Sequence, residues 1–129
     1  MRLRHTNKAF SLAEVLITVA ILSSAIVLLL QSFTTSLSAT RLSQHIELAS
    51  LLAESQLLDV IQNYAGGNEL PGGSTKQEKI EGLNFDLNFQ LSDTDYTGLK
   101  KLTLVVSWPE NMREKPYSVE VATYLYKEP

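Results

Sequence analysis

The chain has 129 residues, a formal net charge of −3 and no cysteine, which suits a single domain with a modest core. Without cysteine it forms neither a disulfide scaffold nor a thiolate metal site. A pI near 5.3, with no cluster of lysine and arginine, argues against direct nucleic-acid binding. Hydrophobic residues make up 44% of the chain, which excludes wholesale disorder at this low net charge.

The most informative segment is an apolar run from Phe10 to Leu30. Its sequence, FSLAEVLITVAILSSAIVLLL, contains no lysine or arginine and a single acid, Glu14. A helix of this length rises about 30 Å, enough to cross the hydrocarbon core of a membrane. Three basic residues precede the run, namely Arg2, Arg4 and Lys8. The positive-inside rule therefore predicts that residues 1–9 stay in the cytoplasm and that the C-terminal part is exported.

A cleaved secretory signal is the alternative interpretation of this run. The apolar core of such a signal has about 7–15 residues, which is shorter than the run seen here. The nearest small-x-small site, Ser36-Leu37-Ser38, is a poor one and would place the mature start near residue 39. We therefore expect the segment to remain in the membrane.

Glu14 is the anomaly of the run. A carboxylate inside an apolar span costs about 2.5–3.5 kcal/mol on insertion scales, and such residues often mark a functional site. The shallow position of Glu14 also allows its side chain to reach the cytoplasmic interface. Taken alone, Glu14 is compatible with either interpretation.

The neighbours of Glu14 resemble the type III signal of type IV pilins and pseudopilins. The stretch from Lys8 to Glu14, KAFSLAE, has the small residue, Phe, Ser or Thr, Leu and Glu of that signal, after a short basic leader. Ala9 stands where the family usually has glycine. The resemblance implies that prepilin peptidase cleaves between Ala9 and Phe10 and methylates the new Phe10 amine. It also implies that Glu14 meets the N-terminal amine of a neighbouring subunit and sets the register of assembly.

Beyond Leu30 no helix breaker occurs before Gly66, so residues 31–65 are predicted to continue the 10–30 membrane helix as an amphipathic helix. Apolar residues recur there at spacings of three and four: Leu42, Ile46, Ala49, Ala53, Leu57, Val60 and Tyr64. Polar residues lie off this stripe: Arg41, Gln44, Glu47, Glu54 and Gln62. The stretch from Leu52 to Leu57 also resembles the A-E-x-Q-L sequence of minor pseudopilins of the subunit-I type.

Residues 66–82 are rich in glycine and are predicted to form a loop. Alternating apolar and polar residues predict three strands within the segment 83–129, over 83–91, 99–108 and 117–126. Short connections favour an antiparallel meander whose apolar face covers the helix stripe. The expected fold is therefore α+β and pilin-like, a long N-terminal helix packed on a small antiparallel sheet.

Other candidate sites are weak. Asp93 and Asp95 match the first and third positions of an EF-hand calcium loop. The twelfth position, which requires glutamate, is Leu104, so we favour a polar turn and leave calcium binding as an open alternative. His5 and His45 are expected to be solvated. Trp108, Tyr124 and Tyr126 are aromatic residues of the strands. We interpret them as core residues or cross-strand pairs, and we favour this over a ligand platform. No catalytic constellation is visible, so we expect no enzyme, no cofactor and no metal.

These features predict a minor pilin-like subunit, most similar to a pseudopilin of type II secretion. Its expected partners are prepilin peptidase, other pseudopilins or pilins, and an inner-membrane assembly platform. In a bacterium it would cross the inner membrane once, with a cytoplasmic N-terminus and a periplasmic C-terminal domain, before entering a periplasmic pseudopilus. The alternatives are a minor type IV pilin of a fimbrial or DNA-uptake system and an unprocessed bitopic anchor that carries a periplasmic binding domain.

Overall fold

The computed structural model of this protein describes residues 9–110 and 114–127. It has an α+β layout of one long helix and four strands: α1 (Leu12–Ala65), β1 (Thr75–Ile80), β2 (Leu83–Asp93), β3 (Leu99–Trp108) and β4 (Tyr117–Tyr126). The strands form one antiparallel sheet in the order β1-β2-β3-β4. The chain divides into two compact units, Met1–Leu42 and Ser43–Pro129, and α1 begins in the first and ends in the second.

In the first unit, α1 carries large apolar side chains that nothing covers within the described chain. Leu16 is 61% exposed and Leu29 is 69% exposed. One helix of the described residues is long and apolar enough to cross a membrane, and its apolar window buries none of its residues. A helix from the core of a soluble domain would bury this surface, so the exposed run favours a lipid environment.

The hydroxyl groups within the apolar run are satisfied by the helix itself. Thr18 Oγ1 donates to Val15 O at 2.8 Å, and Ser23 Oγ donates to Val19 O at 2.7 Å. Ser24 makes the equivalent bond to the carbonyl three residues earlier. Because a polar group without a partner is costly in hydrocarbon, these internal bonds make the run compatible with lipid on all sides.

α1 ends at Ala65 in a Schellman motif. The amide of Gly67 donates to Tyr64 O at 3.0 Å, and the amide of Asn68 donates to Asn63 O at 3.1 Å. Gly67 has φ 90°, a left-handed conformation that glycine adopts at little cost. The helix therefore stops at the glycine pair, where the sequence places its end.

The core of the second unit lies between the last third of α1 and one face of the sheet. Ala49 and Ala53 are fully buried, so the helix backbone approaches the sheet closely there. Leu57 is buried as predicted, and Leu52 joins the buried set although it was not assigned to the stripe. Ile46 is 41% exposed, so its assignment to the buried stripe is wrong. The preceding residue, His45, is half-buried and contacts Glu110, which follows β3.

The sheet face toward this core is built by alternation. On β2 and β3 the buried apolar residues pair across the strands, with Phe89 opposite Leu104 and Leu87 opposite Val106. The predicted strands 99–108 and 117–126 are confirmed, and the first predicted strand extends two residues further, to Asp93. On the inner face of β4 four of the five residues are only half-buried, because β4 is an edge strand with a neighbour on one side only.

The prediction of a loop over 66–82 is wrong for six residues, which form β1. This strand pairs antiparallel with β2, from Thr75 opposite Asn88 to Ile80 opposite Leu83. Its sequence, TKQEKI, shows no apolar alternation, because polar Lys76 and Glu78 occupy two of the three core-facing positions and only Ile80 is apolar. Lys76 Nζ lies 3.3 Å from Glu78 Oε1 and 3.5 Å from Gln56 Oε1 on α1. β1 is therefore held to β2 by backbone hydrogen bonds and to α1 by polar side-chain contacts. Neither kind of contact produces a hydrophobic pattern in the sequence of β1.

The β1–β2 turn suggests a stabilising substitution. Glu81 has φ 51° and Gly82 has φ 82°, the two positive angles of a type I′ hairpin turn. Glutamate adopts this region at a cost, whereas asparagine tolerates it. We expect Glu81→Asn to raise the free energy of unfolding by about 1 kcal/mol, measured by urea titration of the full chain in detergent.

Glu69→Asn is the matched control for this substitution. It makes the same change of residue type at an exposed position whose φ is not positive. We expect it to leave the urea midpoint unchanged. Equal midpoints for both variants would contradict the assignment of backbone strain to Glu81.

Candidate functional site

The predicted cleavage site lies immediately before α1. Ala9, Phe10 and Ser11 are outside the helix and exposed, and the Phe10 side chain is 77% exposed. Exposed, non-helical backbone is where peptidases cut, because its amide and carbonyl groups are free to pair with an enzyme. The Ala9–Phe10 bond is therefore accessible, while the rest of the predicted leader, residues 1–8, lies outside the described residues.

Ser11 caps the start of α1. The amide of Glu14 donates to Ser11 Oγ at 3.2 Å and lies 3.0 Å from the carbonyl oxygen of the same residue. The amide of Val15 also donates to Ser11 O, at 3.2 Å. Ser11 is thus the N-cap and Glu14 occupies position N3, the arrangement of an S-x-x-E capping box. The S-x-x-E signature is present in the sequence, within the motif that resembles the type III signal. The helix cap that this signature indicates was not predicted from the sequence.

The Glu14 carboxylate makes no hydrogen bond or ion pair among the described residues. Its own side of the capping box is therefore not formed, and the side chain is exposed. The next basic residue along α1 is Arg41, about 40 Å further along the helix. The positive end of the helix dipole favours a carboxylate in this first turn. Among the described residues, therefore, only the helix dipole compensates for the charge of Glu14.

The two predicted functions of this segment thus fall on nearby residues with different surroundings. Ala9 and Phe10 lie in accessible non-helical backbone, and Glu14 lies in the first turn of an uncovered apolar helix. No family model, curated protein or solved structure matches the chain.

In the second unit, His45 takes part in a polar cluster at the end of β3. His45 Nδ1 lies 3.1 Å from Glu110 Oε2, and Trp108 Nε1 donates to the same oxygen at 3.3 Å. The expectation of a solvated His45 is wrong, because its side chain is only 26% exposed and has a partner 65 residues away. The cluster connects α1 to Glu110, two residues beyond the end of β3.

The Asp93–Gly98 turn is closed by its own hydrogen bonds. Thr94 Oγ1 donates to Leu99 O at 2.7 Å and accepts a bond from the amide of Tyr96. Asp93 Oδ1 lies 3.6 Å from Lys100 Nζ, which competes with a cation for this carboxylate. Within residues 9–110 and 114–127, no group of three acidic or histidine side chains is placed to hold a metal. Calcium needs six to eight oxygen ligands, so nothing in this turn supports a calcium site.

The aromatic side chains of the strands do not form a common platform. Trp108 is 1% exposed and belongs to the core, where its ring lies 5.9 Å from Phe85 and stacks on Tyr117 at 6.0 Å. Tyr124 and Tyr126 lie on the opposite face of the sheet and are each 60% exposed. The interpretation of Trp108 as a core residue is confirmed, and the hypothetical ligand platform that included it is wrong.

Proposed function

We propose that this chain is a minor pilin-like subunit, a pseudopilin of a type II secretion apparatus, that assembles through α1. Prepilin peptidase cleaves it after Ala9 on the cytoplasmic side, and the exported domain enters a periplasmic pseudopilus. One observation carries this proposal: an accessible Ala9–Phe10 bond precedes an uncovered apolar helix whose first turn carries Glu14, a carboxylate without a partner among the described residues.

The uncovered helix supports a subunit that moves from lipid into an assembly. Its large apolar side chains need lipid or other apolar helices, and its hydroxyl groups are already satisfied internally. Small hydroxyl residues such as Ser23 and Ser24 allow helices to approach each other closely. A helix of this kind is stable as a monomer in the membrane and can exchange lipid contacts for contacts with other subunits.

Glu14 supports the same proposal through its charge. A carboxylate held in an apolar run costs free energy unless a cation compensates for it. Cleavage after Ala9 removes Arg2, Arg4 and Lys8 and creates one new cation, the amine of Phe10. Pairing between Glu14 of one subunit and this amine of its neighbour neutralises both charges and sets the register of assembly.

The second unit suits a domain that folds on the far side of the membrane. It has its own core between residues 43–65 of α1 and the sheet, with fully buried residues from both. Its folding therefore does not require the apolar first unit, which remains available for lipid and for neighbouring subunits.

The proposal is tested by determining the mature N-terminus of the protein, extracted from membranes, by mass spectrometry. We expect the chain to begin at N-methylated Phe10. An intact Met1 would contradict processing and support an unprocessed bitopic anchor, and a start near Ala39 would indicate ordinary signal-peptide removal.

A second measurement assigns the filament system. Co-purification with pseudopilins linked to an outer-membrane secretin supports type II secretion. Recovery of the protein in sheared surface fibres would contradict that assignment and favour a minor type IV pilin of a fimbrial or DNA-uptake system.

A further inference from the structure

We infer that Ser11 is a positioning residue for processing: its cap starts α1 at Leu12 and thereby holds the Ala9–Phe10 bond outside the helix. This inference rests on the proposed cleavage after Ala9. It assigns to the serine of the motif a role in the backbone conformation of the substrate, separate from any contact with the peptidase.

The hydrogen bonds at the start of α1 define the helix boundary. The Ser11 hydroxyl accepts a bond from the amide of Glu14 at 3.2 Å, and the Ser11 carbonyl accepts from Glu14 and Val15. A residue that caps in this way has non-helical backbone angles itself. The peptide bond between Ala9 and Phe10 is therefore two residues before the first helical residue, in exposed backbone.

Loss of the cap is expected to move the helix start upstream. Unwinding of the first turn of α1 would leave backbone amides of the apolar run without hydrogen-bond partners in lipid, which costs free energy. Extension outward is favoured because alanine is the strongest helix former and would stand at both positions 9 and 11 of a Ser11→Ala variant. An extension of α1 by one turn would include the Ala9–Phe10 bond.

A scissile bond inside a helix is a poor substrate. The Ala9 carbonyl then accepts a hydrogen bond from the amide of Ala13, and the backbone is no longer extended, so the bond cannot pair with the main chain of an enzyme. Peptide substrates that lie extended on an enzyme bind through those same groups. The position of the helix start thus controls the fraction of chains that the peptidase can cleave.

The test compares cleavage of the full-length precursor by membranes that contain prepilin peptidase, with the products identified by mass spectrometry. We expect Ser11→Ala to lower the initial cleavage rate by between about 2-fold and 30-fold, the range that loss of a serine cap produces in a helix equilibrium. Ser11→Thr retains a capping hydroxyl and is expected to keep the rate of the natural sequence. Amide exchange at Glu14 and Val15 in detergent verifies the state of the cap in each variant.

A second substitution separates helix extension from a direct contact between Ser11 and the peptidase. Ala9→Gly lowers helix propensity next to the scissile bond, so it opposes extension. We expect Ala9→Gly to raise the cleavage rate by a larger factor in the Ser11→Ala background than in the natural sequence. Equal factors in the two backgrounds would overturn the inference, because independent contacts with the peptidase multiply without coupling.

Failure of this inference is distinguishable from failure of the proposed function. If the natural sequence is cleaved after Ala9 and Ser11→Ala is cleaved equally fast, only the role of Ser11 is overturned. If the natural sequence is not cleaved after Ala9, the proposed processing fails, and the inference fails with it.

Discussion

Replacement of Glu14 by glutamine is expected to prevent incorporation into a filament while leaving membrane insertion intact. Glutamine keeps the size of the side chain and removes its charge, so the neighbouring Phe10 amine would be buried without a counter-charge. Removing one partner of a buried ion pair costs about 3–5 kcal/mol. Incorporation should therefore fall by about 100-fold or more, measured as the fraction of the protein that cross-links to neighbouring subunits.

Glu54→Gln is the matched control for this experiment. It makes the same chemical change on the same helix, at an exposed position in the second unit. Carbonate extraction should recover both variants in the membrane fraction, which shows that insertion is unaffected. Normal incorporation of Glu14→Gln would refute the proposed charge pairing and favour a carboxylate that only reaches the membrane interface.

Replacement of Phe85 by alanine is expected to have the largest effect on the stability of the second unit. Phe85 is fully buried on β2, and its ring centroid lies 5.9 Å from that of Trp108. Truncation of such a side chain removes its apolar contacts and leaves a cavity, which costs about 3–5 kcal/mol. Trp108, the only tryptophan of the chain, is buried beside the substitution and reports unfolding by fluorescence. Urea titration of the full chain in detergent measures the effect.

Tyr124→Ala provides the matched control, since it also truncates an aromatic residue of the sheet. Tyr124 is 60% exposed and lies on the outer face, so we expect a change within about 0.5 kcal/mol. A loss below 1 kcal/mol for Phe85→Ala would contradict the placement of Phe85 in the core. Comparable losses for both variants would contradict the assignment of the two sheet faces.

The regular elements with a periodic apolar pattern could be predicted from the sequence alone. The run from Phe10 to Leu30 indicates a helix suited to lipid, and Gly66-Gly67 marks the end of α1, because only glycine takes the left-handed cap at little cost. Apolar residues aligned on one face, between two turns, predicted the bounds of β3 and β4. These features are local, since each depends on residues within a few positions of one another.

The residues of the candidate site near the N-terminus could be predicted from the sequence, but the start of α1 at Leu12 could not. Ala9, Phe10 and Glu14 follow from the motif that this stretch resembles. Residues 11–14 also match the S-x-x-E pattern of a capping box. The hydrogen bond from the Glu14 amide to Ser11 Oγ shows that Ser11 is the N-cap of α1. The same stretch therefore contains a family-like motif and a helix cap, and the structure shows the cap.

Tertiary structure decided the features that depend on distant parts of the chain. β1 has a single apolar residue, Ile80, on its core-facing side, and it forms because β2 supplies its backbone partners. His45 has a partner because the end of β3 places Glu110 beside it, and Thr103 is 7% exposed on the polar face because the neighbouring strands flank it. Local periodicity records which face of an element is buried, whereas strand pairing and polar contacts across the fold depend on residues far apart in the chain. The sequence by itself therefore determined the helix, its C-terminal end and the alternating strands, whereas the tertiary structure decided the start of α1 and which residues these elements contact.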